Sequence, residues 1–189
     1  MGELLLKIAR QAIASAFGLA PEVDKEALKR EHPELAKEQA TFVTLTIDGK
    51  LRGCIGSIIP HRSLLDDLVA NAKAAAFDDP RFAPLAQEEF ERVGIEVSLL
   101  TVPQPLEYKD IEDLRGKIEP GKDGVILQLN GRQATFLPQV WEDLNDFDLF
   151  FAHLCVKAGL LQNCLQYHPQ IYIYRVEKFK ECEGAGCGS

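Results

Sequence analysis

Two tight-turn signals, each set between segments that alternate apolar and polar residues, limit the fold of this chain more than any other feature. The dipeptides Asp-Gly and Asn-Gly accept the positive φ angles that a two-residue hairpin loop requires. The sequence therefore predicts two antiparallel β-hairpins. Asp48-Gly49 would join residues 40–47 (ATFVTLTI) to residues 51–59, and Asn130-Gly131 would join residues 125–129 to residues 133–137.

Helical patterns and two further strands surround these hairpins. Apolar residues recur at helical spacing near the N-terminus, and Ser63 is placed to cap a helix that ends at Asp79-Pro80. Helices alternating with mostly antiparallel strands predict an α+β fold. The other predicted helices cover residues 22–30, 87–92, 110–115, 138–144 and 148–158, and the other strands cover residues 93–101 and 170–179.

Composition and charge exclude several classes of protein. The 189 residues carry a net charge of −8, and an acidic surface repels phosphate, so we expect no nucleic-acid partner. The chain has no apolar run long enough to span a membrane, and Glu3, Lys7 and Arg10 interrupt the apolar N-terminus. These features predict a cytoplasmic protein that has no membrane partner.

The five cysteines show no metal-binding spacing. Cys54, Cys155, Cys164, Cys182 and Cys187 form no Cys-x-x-Cys pair, and the four histidines are scattered. We therefore expect no metal, no other cofactor and reduced thiols. Residues 181–189 are rich in glycine and predict a flexible tail in which Cys182 and Cys187 are inert.

The returning strand of the first hairpin has an unusual sequence, because two glycines flank Cys54 in LRGCIGS. Glycine weakens a strand interior, so Gly53 and Gly56 indicate a bulge or a close approach to the backbone. If Leu51 and Ile55 face the core, Cys54 lies on the opposite face, which requires a loop longer than two residues. A strict two-residue turn would instead place Cys54 on the core face. We favour the first register.

On the first register Arg52 and Cys54 share one face, and the guanidinium would lower the pKa of the thiol. Cys54 is therefore the candidate nucleophile and Arg52 its activator. A nucleophile also needs a base, and nothing in the sequence places His61 or His153 near Cys54. The alternative is that Cys54 is a small buried hydrophobic residue.

A second cluster follows the helix that Ser63 begins. In Phe77–Phe82 (FDDPRF), Arg81 either pairs locally with Asp78 or Asp79 or binds an anion through its planar fork. A third segment, residues 136–141 with the sole tryptophan, Trp141, is interpreted as core.

Five segments resemble the AMMECR-type domain family in order and spacing, namely residues 51–57, 77–85, 95–101, 134–141 and 154–160. Prokaryotic members of that family are called AmmeMemoRadiSam system protein A. The resemblance covers residues 4–180 as a single domain. It implies an α+β fold of two interleaved lobes, each a mostly antiparallel sheet layered with helices. It implies no particular reaction.

The resemblance also implies partners and site residues. Family members are encoded beside, or fused to, a Memo-like protein and a radical S-adenosylmethionine protein. The resemblance therefore implies that this chain is a binding or accessory component that acts with both proteins. The alternative is a small cysteine-dependent enzyme that uses Cys54 and Arg52. The remaining candidates are binding residues, namely Gly53, Gly56, Ser57, Asp79 and Arg81, and the family pattern also matches Phe82, Pro138 and Gln139.

Overall fold

The computed structural model describes residues 1–181 and confirms the α+β class with two antiparallel sheets. The chain divides into two compact units, of which the first is Met1–Leu100 together with the chain from Glu177, and the second is Thr101–Val176. The units are therefore interleaved along the sequence. The helices are α1 (Gly2–Ala16), α2 (Lys25–Glu31), α3 (Leu64–Phe77), α4 (Gln87–Phe90), α5 (Ile111–Lys117) and α6 (Phe147–Lys157). The strands are β1 (Ala40–Ile47), β2 (Lys50–Gly56), β3 (Val93–Leu100), β4 (Gln104–Pro105), β5 (Gly124–Leu129), β6 (Arg132–Phe136), β7 (Gln170–Tyr174) and β8 (Val176–Lys180).

The first unit contains one sheet with the strand order β2-β1-β3-β8, and β2 is therefore an edge strand. Strands β1, β2 and β3 alternate between an apolar face and a mixed face, as half-buried strands do. The apolar face carries Val43, Leu45 and Val97, all fully buried, and α1 and α3 pack in the same core. Ser63 caps α3 as predicted, since its hydroxyl accepts a hydrogen bond from the Asp66 amide at 3.1 Å.

The second unit contains a sheet with the strand order β4-β7-β5-β6. The predicted hairpin around Asn130-Gly131 is confirmed as β5 and β6, and both turn residues have positive φ. Trp141 lies in the core as predicted. Its ring stacks on Phe150 at a centroid distance of 3.6 Å, and its indole nitrogen donates to the Asp123 carbonyl at 2.9 Å. The segment Pro138–Glu142 is a 3₁₀ turn rather than the predicted α-helix.

Residues 170–179, predicted as one strand, are two strands in two different sheets. Arg175 interrupts them, because its backbone N–H donates to the Thr101 hydroxyl at 2.8 Å and its carbonyl accepts from the Thr101 amide at 2.9 Å. Thr101, where the chain enters the second unit, and Arg175, close to where the chain leaves it, therefore form a hydrogen-bonded pair.

The expectation of reduced thiols is wrong for two of the cysteines. Cys155 on α6 and Cys164, which begins the 3₁₀ turn Cys164–Tyr167, form a disulfide across nine residues. Both side chains are buried in the core of the second unit. Cys182 and Cys187, expected to be inert, lie outside the described residues.

The first residue of the predicted tail is held by the first unit. Arg10 donates to both carboxylate oxygens of Glu181, at 2.7 and 2.6 Å, and the Ile95 amide donates to the same carboxylate at 3.1 Å. Among the helices of residues 1–181, none combines the length and the apolar character that a membrane crossing requires.

Candidate functional site

A β-bulge at Arg52 sets the register of the strand that carries Cys54. Asp48 and Gly49 have φ values of 51° and 76°, so the hairpin keeps a two-residue turn and pairs Thr46 with Leu51. The register then shifts by one residue, and Cys54 pairs with Thr44. The predicted face of Cys54 is therefore correct, but its predicted cause, a longer loop, is wrong.

The bulge also changes the environment of the residues beside it. Leu51 was expected to face the core, but it lies before the bulge, opposite Thr46, and is 44% exposed. Ile55 lies after the bulge and packs against the core as expected. The bulge thus separates two halves of β2 that follow different alternations.

The two glycines that flank Cys54 are required by packing within the protein. A side-chain carbon built at Gly53 would overlap the backbone carbonyl oxygen of Ala75 in α3. One built at Gly56 would overlap the ring of Phe42 on the neighbouring strand. The close approach that the sequence indicated is therefore made by α3 and by Phe42.

Asp79 links the free edge of β2 to the loop that follows α3. One of its carboxylate oxygens accepts the outward amide of Cys54 at 3.0 Å. Arg81 donates to both oxygens of the same carboxylate, through Nε at 3.1 Å and Nη2 at 2.8 Å. The hydrogen bonds from Arg81, followed by that from the Cys54 amide, hold the pKa of Asp79 well below its usual range. Local pairing, one of the two alternatives that the sequence left for Arg81, is therefore present, although 55% of its side chain remains exposed.

Arg52 is engaged by Glu89 and does not activate Cys54. Its Nε donates to Glu89 at 2.8 Å, and its Nη2 donates to the same carboxylate at 3.1 Å and to the Ala83 carbonyl at 2.8 Å. The Phe82 ring lies 5.7 Å from the Arg52 guanidinium and 5.4 Å from that of Arg81. We name the set Arg52, Cys54, Asp79, Arg81 and Glu89 the β2 clamp, because it ties residues 79–89 to strand β2.

The thiol of Cys54 is half-buried and lies against Thr44, whose hydroxyl oxygen is 3.2 Å from Sγ. Burial raises the pKa of Cys54 above its ordinary value of 9.0, because removal of water disfavours the thiolate. The hydrogen bond from Thr44 and the charge of Arg81 oppose this effect without reversing it. The lowered pKa predicted from Arg52 is therefore wrong in direction and in cause.

Among residues 1–181, the candidate base His61 of the first unit makes no hydrogen bond to the thiol. The His61 ring nitrogen lies 3.1 Å from the Ile59 carbonyl, and His153 lies on α6 in the second unit. Within residues 1–181, the hydrogen-bond partner of the Cys54 sulfur is Thr44. The described part of the first unit therefore places no candidate base against the Cys54 thiol.

Sequence reasoning missed a buried polar network at the end of β2. Asp67 is 1% exposed, and its carboxylate accepts hydrogen bonds from the Thr41 amide and hydroxyl, from Asn71, from Arg62 and from Ser57. Ser57, predicted as a binding residue, is thus part of this network. Asp67 and Asn71 are four residues apart within the otherwise apolar pattern of α3, and that spacing was the available signal.

Comparisons with known proteins show which family the chain belongs to. The family model described as AMMECR1 matches residues 6–179. The chain belongs to the AMMECR1 family. A protein of Methanothermobacter thermautotrophicus is 37% identical over 178 residues, which cover 93% of this chain and 91% of that protein. A protein of Saccharolobus solfataricus is 40% identical over 171 residues, which cover 87% of this chain and 74% of that protein.

A solved structure extends the comparison to the fold. The crystal structure of an uncharacterised protein from Pyrococcus horikoshii matches this chain with a TM-score of 0.83 and 36% identity. The match covers 95% of this chain and 91% of that protein. The AMMECR1-family fold is therefore shared by an experimental structure.

Proposed function

We propose that this AMMECR1-family chain is a binding component that acts with a Memo-like protein and a radical S-adenosylmethionine protein. The β2 clamp, in which Asp79 accepts a hydrogen bond from the Cys54 amide next to Gly53, is the surface that we assign to this role. The observation that carries the proposal is the state of Arg81: it is fixed by Asp79 yet more than half exposed.

A fixed but exposed arginine suits recognition better than catalysis. Nε and Nη2 of Arg81 face Asp79, whereas Nη1 has no hydrogen-bond partner among residues 1–181. An arginine whose orientation is already set loses little side-chain entropy when it binds a partner. The Phe82 ring beside it adds an apolar contact, and arginine with an aromatic residue is a typical composition of interface centres.

The partner group that fits is a carboxylate or a backbone carbonyl on the surface of the other protein. Either accepts a hydrogen bond from Nη1, and a carboxylate adds charge assistance. Asp79 already balances the charge of Arg81, so the contact would depend on geometry more than on net charge.

The test measures binding of the purified chain to each partner protein by titration calorimetry. Arg81→Ala should weaken binding by about tenfold or more, the scale of a charge-assisted hydrogen bond, while Cys54→Ser should leave it unchanged. Arg92→Ala is the matched control, because Arg92 is 61% exposed and pairs with Asp48 on the surface. If Cys54→Ser abolishes binding and Arg81→Ala does not, or if neither partner binds the unaltered chain, the proposal is wrong.

The cysteine-dependent enzyme is tested separately by thiol chemistry. Since the thiolate is the reactive form, alkylation of Cys54 by iodoacetamide should rise with pH through a midpoint above 9.0. Peptide mapping isolates the Cys54 signal from the other thiols. A midpoint near pH 7 would favour the enzyme over the binding component.

A further inference from the structure

The second unit carries a row of three glutamines that no part of the function above uses. Gln128 on β5 pairs in register with Gln133 on β6 and with Gln170 on β7. The three side chains therefore lie side by side on one face of the sheet. This face is opposite to the one through which Leu127 and Ile171 pack in the core.

The first two glutamines form an incomplete hydrogen-bond pair. The side-chain amide of Gln128 donates to the carbonyl oxygen of Gln133 at 2.6 Å. That bond leaves one carbonyl oxygen and one NH2 group of the pair without a side-chain partner among residues 1–181. An amide NH2 group has two donors and an amide oxygen has two lone pairs, so each of the two amides keeps a free donor and a free acceptor side by side. Such an amide can bind a ligand edge that offers the complementary acceptor and donor.

His168 provides a flat wall beside these amides. It has φ 52° and ψ 59°, a left-handed conformation that is uncommon for residues other than glycine and that occurs at functional sites. Its imidazole stacks on the Tyr108 ring at 4.3 Å, and the Tyr108 hydroxyl is fixed by a hydrogen bond to the Pro169 carbonyl. One face of the imidazole is therefore supported by a buried ring, while the residue itself is exposed.

The imidazole and the glutamines line the same hollow, which has a volume of about 380 Å³. That volume lies at the lower end of the range for small-molecule sites. Among residues 1–181, the lining contains no carboxylate and one permanently charged side chain, that of Arg132. A guanidinium nitrogen of Arg132 lies close to Gly159 at the end of α6. The other principal lining residues are Gln128, Asn130, Gly131, Gln133, His168 and Gln170.

We propose that this hollow binds a small, uncharged, planar heterocycle whose edge carries an adjacent donor and acceptor, as the nucleobases do. The ring stacks on the imidazole of His168, and its edge bonds to the amides of Gln128 and Gln133. Stacking on an aromatic side chain and bidentate bonding to an amide are the two contacts by which proteins recognise a single base. The net charge of −8 favours a free base over a polynucleotide.

The experiment is an NMR titration of the full-length, ¹⁵N-labelled chain with adenine and with uracil. At least one should shift the side-chain amide signals of Gln128 and Gln133 and saturate at or below about 10 mM. Gln128→Leu should weaken that binding about tenfold, because it removes the edge contact, and His168→Asn should weaken it while still tolerating a left-handed backbone. Gln104→Leu is the control outside the hollow, and its binding should match that of the unaltered chain.

Three results would overturn the inference. The first is that neither base shifts the side-chain amide signals of Gln128 and Gln133 up to about 10 mM. The second is that Gln128→Leu leaves the binding unchanged. The third is that methyl glucoside, which has no planar ring, binds as well as the bases. Amide chemical shifts elsewhere in each variant show whether it is folded, so a loss of binding is separable from a loss of structure.

Discussion

The disulfide between Cys155 and Cys164 makes a quantitative prediction about the second unit. It closes a loop nine residues apart in sequence, and the loss of chain entropy in the unfolded state corresponds to about 2.6 kcal/mol at 25 °C. Removing it by Cys155→Ala/Cys164→Ala should lower the free energy of unfolding by about that amount. Both sulfurs are buried, so the lost contacts of the two side chains add a smaller cost in the same direction.

The size of the melting shift depends on how the chain unfolds. If the whole chain melts as one transition, the loss corresponds to a Tm lower by about 5–10 °C. If the second unit, Thr101–Val176, melts by itself, the same energy corresponds to about 10–20 °C, because a smaller unit has a smaller unfolding entropy. Scanning calorimetry of the unaltered chain and the double variant measures the shift and counts the transitions.

Reduction provides the internal control. Because the sulfurs are buried, the chain must be unfolded in urea with dithiothreitol and then refolded under reductant. The reduced chain should melt below the oxidised chain, whereas the double variant should melt at one temperature with or without this treatment. If mass spectrometry verifies the reduction and the Tm changes by less than about 1 °C, the chain-entropy argument is refuted. If the chain carries free thiols at both positions before treatment, the disulfide itself is refuted.

Three further perturbations test the first unit. Gly53→Ala should lower the free energy of unfolding by about 2 kcal/mol or more in urea titrations, since its methyl group overlaps the backbone of α3. The control Gly116→Ala, at an open position of α5 in the second unit, should raise the free energy of unfolding by about 0.5–1 kcal/mol. The pKa of Asp79 is lower in the folded state, so its charge stabilises the fold above the unfolded pKa near 4 and loses that effect as the pH falls. Between about pH 5 and pH 3, the Tm of Asp79→Asn should therefore fall by less than the Tm of the unaltered chain. An equal fall in both proteins would contradict the lowered pKa of Asp79. Asp67→Ala should cost about 3–5 kcal/mol, because it leaves several buried donors without an acceptor, and a cost below about 1 kcal/mol in the same titrations would contradict it.

Local patterns predicted the elements of this fold because the decisive signals lie within a few residues of each other. The turn dipeptides Asp48-Gly49 and Asn130-Gly131 determine both hairpins, and Ser63 determines the start of α3. The switch between sheets at Arg175 was not predictable in this way. Residues on both sides of it alternate like a strand, and its partner Thr101 is 74 residues away.

At the candidate site, too, local sequence features were predictable and contacts between residues distant in sequence were not. The sequence places Arg52 near Cys54, but the partner that takes up its charge, Glu89, is 37 residues further along the chain. Pairing between distant charges is set by tertiary contacts that no local period encodes. The disulfide has the same origin, because the connectivity of five cysteines does not follow from their spacing.

The bulge at Arg52 has an evolutionary consequence for alignments of this family. It absorbs one residue between the turn and Cys54, so an insertion in the Asp48-Gly49 turn can be compensated by loss of the bulge. Homologues that differ by one residue in turn length can therefore keep the thiol on the same side of the sheet. An alignment gap placed at the turn, without a matching gap at the bulge, would assign that thiol to the wrong side.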